Sequence, residues 1–180
     1  STEEVLDEIR KLHKTLTEDI KRVLREIEEL HRRTIEENKE VLDRDHMVLH
    51  EYVNAAGITD TPNVEKLLKD LEKSAKENEE HNERTLREDD RVLKEIRRRA
   101  TELLKANEEM LRRIEEVMRA GKVDAEELLR ESKEAIKEVK RVLEELRKES
   151  KRVVDETRKL SEENLEHSER VLRKVEEDLR

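Results

Sequence analysis

The chain has no cysteine, tryptophan or phenylalanine, one tyrosine, one proline and only two glycines. The absence of cysteine excludes disulfides and thiol chemistry, and it is compatible with a reducing compartment. With Tyr52 as the sole aromatic residue, any core must be almost wholly aliphatic, and there is no set of rings on which nucleic-acid bases could stack. No apolar run approaches the roughly 18 residues that a membrane span needs. No signal-peptide pattern is present either.

Charge is what the chain has in quantity: 51% of its 180 residues are Asp, Glu, Lys or Arg, for a net charge of −9. Acids and bases alternate along every segment, so there is no basic patch for nucleic acid. Mixed-sign charge of this kind reads as a solvated helix surface. High charge with few aromatics can also mean disorder. Here the apolar residues, 32% of the chain, are strictly periodic, and Ala, Glu, Lys, Leu and Arg dominate, which is the composition of long helices.

The period is an 18-residue repeat. Val5–Arg22, VLDEIRKLHKTLTEDIKR, is followed by Val23–Glu40, VLREIEELHRRTIEENKE, and a third copy opens VLDRDHMVLHEYV at Val41. Ile9 matches Ile27, Leu12 matches Leu30, and His13 matches His31. Eighteen residues are five turns at about 3.6 residues per turn, so each copy returns to the same helix face and little supercoil is expected. A second column of Leu6, His13, Leu24, His31, Ile35, Leu42, Leu49 and Val53 widens the buried face to roughly 120°.

Start and stop signals divide the chain into three. Ser1 and Glu4 form a capping box. Gly57 is suited to a left-handed position just past the first helix, with Ile58 packing back on Val53. Thr61 caps the second helix and Pro62 takes its first position, where a missing N–H costs nothing. That helix ends at Gly121; Asp124 caps the third, with Glu127 completing a box and Val123 stapled to Leu128. The expected fold is all-α, a single domain over 1–180: a straight antiparallel up-down-up three-helix bundle with very long helices at about 2–56, 62–120 and 124–180. At about 1.5 Å per residue each helix is near 80 Å long, against a natural mean of about 11 to 12 residues.

Polar residues interrupt the apolar face. Thr34 and Asn38 stand where the first copy of the repeat has Leu16 and Ile20. Counting height along folded-back helices groups Asn38 with Asn78, Asn82, Ser161 and Asn164, and Thr34 with Thr85 and Thr157. His31 and Asp89 fall just beyond them. Asp45, Ser74 and Ser168 share a level nearer the first loop, where His167 also falls. His13, Asn107 and Ser132 lie towards the other end, beyond Thr17 and Thr101. An unpaired buried amide costs about 1–3 kcal/mol, so these residues are expected to satisfy one another in hydrogen-bond networks across the helices. Their use would be specificity, because a displaced register sets Asn against Leu.

Taken together, the 18-residue repeat, the Asn, Ser, Thr and His in register, the Glu/Lys/Arg surface and the short loops RAGKVD and AAGITDTPN cover the whole chain. In these features it resembles de novo designed, parametrically generated helical bundles with buried hydrogen-bond network layers. The resemblance implies a made scaffold, and it suggests an oligomer or one half of a heterodimer. Spectrin-type repeats are the nearest natural three-helix comparison. They typically carry a core Trp that is missing here, and their helices are about half as long.

Few residues suggest chemistry. His46 and His50 have the i, i+4 spacing of a Zn or Ni pair with Asp45 adjacent, but both fall outside the apolar arc and no further ligand is placed. A buried pair of Asp89 with His31 would make the interior pH-sensitive. Asp45 at the centre of the face would need Ser168, Ser74 or water as a partner. There is no Gly-rich phosphate loop and no Ser/His/Asp arrangement. The expected function is therefore a designed structural scaffold without catalysis, cofactor, metal, nucleic-acid, membrane or small-molecule partner. The alternatives are an interaction module that takes a helical partner chain or self-associates, and a pH-responsive bundle.

Overall fold

The computed structural model describes residues 1–58, 62–121 and 123–178, with side chains placed over most of that length. It is an all-α three-helix bundle: α1 is Thr2–Ile58, α2 is Pro62–Arg119 and α3 is Ala125–Asp178, and all three pack against one another. No strand occurs among the described residues. None of the described helices is long and apolar enough to cross a membrane.

The helix ends have local causes. Ser1 Oγ accepts the Glu4 N–H at 3.3 Å, and the Ser1 ammonium lies 3.7 Å from the Glu4 carboxylate. Asp124 Oδ1 accepts the N–H groups of Glu126 and Glu127 at 3.2 and 3.4 Å, satisfying two donors that the first turn of α3 leaves without helical partners. At the end of α2, Gly121 has φ of 73° and donates its N–H to the Met118 carbonyl at 3.3 Å. The left-handed conformation expected at Gly57 is not what is found, because α1 continues through Gly57 to Ile58. Glycine permits a positive φ without compelling it, and one helical glycine costs only about 1 kcal/mol. The proposed Thr61 cap lies outside the described residues.

The molecule divides into two compact units, each drawing a segment from all three helices: Ser1–Leu30 with Leu93–Arg152, and His31–Val92 with Val153–Arg180. In the first unit Arg10 Nε donates to Glu115 at 2.9 Å, pairing a low number on α1 with a high one on α2, as antiparallel neighbours must. Lys133 lies 3.6 Å from Glu8 and Arg147 lies 2.9 Å from Glu26, so α1 and α3 run parallel. The interior of this unit is mainly aliphatic. Ile9, Leu16, Ile20 and Ile27 from α1 meet Leu93, Ile96 and Ala100 from α2 and Ile136, Leu143 and Leu146 from α3, all buried. Burial of each large side chain contributes about 1.5–3 kcal/mol.

In the second unit Arg158 pairs with Glu37 at 3.1 Å and Ser161 bonds Asn38, numbers that rise together on the two helices, so α1 and α3 are parallel here as well. Among its described residues the buried apolar side chains are Val153 and Val154, and they share the interior with buried His31, Thr34, Asn38, Asn82 and Thr157. The exposed faces of both units carry ion pairs at i, i+3 and i, i+4, such as Arg98 with Glu95 and Arg141 with Glu138. Pairs of that kind stabilise a helix by about 0.2–0.5 kcal/mol.

Candidate functional site

The residues that depart from the aliphatic repeat are the candidates, and the structure places them by unit. In the first unit the centre is Asn107, 1% exposed. Its Oδ1 accepts from His13 Nδ1 at 2.7 Å, while its Nδ2 donates to the His13 carbonyl at 3.0 Å and to Thr17 Oγ1 at 2.8 Å. Thr17 in turn donates to the same His13 carbonyl at 3.0 Å. A carboxamide oxygen only accepts, so the geometry assigns the His13 proton to Nδ1. The other ring nitrogen, Nε2, is buried without a hydrogen-bond partner among the described residues. Thr101 bonds back to the Arg97 carbonyl of its own helix at 2.9 Å.

Ser132 was expected to join such a set and does not. Its hydroxyl is buried, as is that of Ser150, and neither has a partner among the described residues. A serine hydroxyl reaches only one bond beyond Cβ, so sharing a level along the axis does not bring it to a neighbour's polar group.

In the second unit two adjacent carboxylates on α2 face different helices. Asp90 Oδ1 is bonded to His31 Nε2 on α1, and Asp89 Oδ2 accepts from Thr157 Oγ1 on α3. This corrects the expected pairing of His31 with Asp89. Successive residues on a helix diverge by about 100°, so a carboxylate turned to α3 leaves the position facing α1 to its neighbour. Burial raises the Asp89 carboxyl above its ordinary value; the Thr157 hydroxyl opposes this by donating to the carboxylate, and Glu156 and Glu88 add to the rise. Thr157 Oγ1 also lies 2.8 Å from the Val153 carbonyl, so its one proton has two possible acceptors.

The third group joins all three helices in two pairs. Ser161 Oγ donates to Asn38 Oδ1 at 3.3 Å, and Asn164 Nδ2 donates to Asn82 Oδ1. Asn38 and Asn82 are buried, Ser161 and Asn164 half-buried. Thr34 is buried at the same end, and Asn78 is half-buried. Thr85 differs from expectation: it bonds back to the His81 carbonyl of its own helix at 3.0 Å, the usual alternative for a helical threonine. The side chains of Asp45, Ser74, Ser168 and His46 lie outside the described residues, and His50 is exposed.

One participant went unread in the sequence: Asp90 was hidden by Asp89, which occupies the centre of the apolar face. Thr17, set level with Thr101 by height, instead joins His13, which lies four residues before it on the same face. Among the described residues, no three His, Cys, Asp or Glu side chains gather closely enough to hold a metal ion. Comparison with protein-family models, curated proteins and solved structures finds no match to this chain.

Proposed function

We propose that the chain is a designed structural scaffold with no natural biochemical activity, a parametric bundle whose buried polar layers specify helix register and pairing. The observation that supports this reading most is the Asn107 carboxamide, which bonds His13 and Thr17 through three contacts in a mainly aliphatic interior. A slip of α2 by one helical turn sets Leu103 or Leu111 against His13. That leaves buried donors unpaired, at about 1–3 kcal/mol for each group. The aliphatic residues supply the driving force for packing, but they repeat every 18 residues and by themselves tolerate displaced alignments. The polar layers supply the discrimination.

The double variant His13→Leu with Asn107→Leu tests this reading. Its expected behaviour is a higher melting temperature together with loss of a single species, seen as multiple sets of amide resonances or mixed masses in light scattering. A double variant that is more stable and still a single species sinks the specificity role.

A second reading, an interaction module for a helical partner or a second copy, is favoured by the exposure of Ile35 at 51% and Met47 at 64% on α1. Light scattering on the unmodified chain tests self-association: a mass near 21.6 kDa excludes a stable homo-oligomer, and a multiple of it supports one. Hydrophobic-dye binding by a monomer is the outcome for a chain that takes a partner helix, and no binding is the scaffold outcome.

A further inference from the structure

The polar side chains Asn38, Asn82, Ser161 and Asn164 surround a small cavity with Leu42 and Leu86 among its apolar walls. Its volume, counted as the space open to the centre of a water-sized sphere, is about 10 Å³. A single water needs roughly 10–15 Å³ on that measure, together with two to four polar partners. The volume therefore admits one water and nothing larger.

The polar capacity is present as well. A carboxamide offers two donors and an acceptor with two lone pairs. The Ser161–Asn38 and Asn164–Asn82 bonds together use two donors and two lone pairs, and the Asn38 and Asn164 carboxamides bring more. Those two bonds run within separate pairs, α3 to α1 and α3 to α2. Neither links Asn38 directly to Asn82. Both of these carboxamides are at least nine-tenths buried, at 6% and 4% exposure.

We propose that this cavity is a binding site for one internal water, which accepts from the Asn38 carboxamide N–H and donates to Asn164 Oδ1. The water turns two separate pairs into one group that spans the three helices. It rests on the reading of these residues as an interior polar layer and extends that reading to a resident ligand. An apolar cavity of similar size would stay dry; four polar side chains around this one hold the water in place.

The test is magnetisation transfer from water to side-chain amide protons in the intact, isotope-labelled chain. Cross-peaks to the Asn38 and Asn164 carboxamides, with the sign of a long-held water, are expected. They are expected to vanish in Asn38→Leu. If that variant does not fold, Ser161→Ala removes one polar edge and is expected to weaken the same cross-peaks. Absence of cross-peaks in the folded parent chain overturns the proposal. So does xenon shifting the Leu42 and Leu86 methyl resonances while the water signal is missing. Failure of the register reading has a different signature, because the water cross-peaks would persist while the His13/Asn107 double variant remained a single species.

Discussion

Asn107 and Asp89 stand one repeat apart on α2, yet Asn107 bonds His13 on α1 and Asp89 takes the Thr157 hydroxyl of α3. The repeat therefore fixes which positions point inward without fixing which neighbour each one reaches. The consequences can be measured residue by residue.

Replacing Asn107 by Leu leaves the His13 Nδ1 proton buried with no acceptor. The expected loss is about 1–3 kcal/mol in guanidinium unfolding. His13→Leu in the same background should recover all of it and raise stability above the parent's, so the double-mutant cycle should give a coupling energy of about 0.5–3 kcal/mol. Simple additivity would mean that the two side chains do not act as a pair.

Asp89 makes a pH prediction whose sign follows from its environment. Its carboxyl is raised in the folded chain, chiefly by burial, so the native state disfavours the charged form. The penalty is fully present above the raised folded value and is relieved as pH falls towards the ordinary carboxyl value. Asp89→Asn should therefore be more stable than the parent at neutral pH, and the difference should shrink in mild acid. The residue is only partly buried, so solvent screening keeps the gain small, within about 1 kcal/mol. Urea unfolding at pH 7 and pH 4.5 measures it; a variant less stable at neutral pH would show that Thr157 outweighs burial.

The aliphatic interior of the first unit should respond strongly to truncation. Leu16 is fully buried, and Leu16→Ala should cost about 2–5 kcal/mol. Ile35 is half exposed, and Ile35→Ala should fall within about 0.5 kcal/mol of the parent. Equal effects in thermal or chemical melts would mean that Ile35 is covered in solution, as the interaction reading requires.

The helix ends of the α2–α3 connection give a fourth test. Asp124→Ala removes an acceptor from two backbone donors and should cost about 1 kcal/mol. Gly121→Ala meets no steric obstacle, since nothing lies within 4 Å of the added methyl. Its cost is conformational, about 1–2 kcal/mol for an alanine at positive φ. A neutral Gly121→Ala would indicate that the turn relaxes to another conformation.

Three helices could be read from the sequence because their signals are local and repeated: an apolar period near 3.6, Ser1, Pro62 and Asp124 at starts, and Gly121 at a stop. Counting height also placed Asn38, Asn82, Ser161 and Asn164 at one level, without saying which pairs with which, and there Ser161 bonds Asn38 and Asn164 bonds Asn82. Height locates a residue along an axis and says little about its direction around it. That is why Asp89 was assigned to His31 in place of Asp90, and why Thr85 was assigned to a neighbour although its hydroxyl serves its own helix. Gly57 shows a different limit, since a residue that permits a turn does not impose one.

Ser132 and Ser150 sit one repeat apart on α3 with buried hydroxyls and no partner among the described residues. They have the same polarity as the bonded positions and lack their complement. The interior thus contains its own control. Exchanging these two hydroxyls for hydrogen separates the burden of a buried oxygen from the selectivity that a matched one confers, and it does so in the background where Asn107 remains bonded to His13.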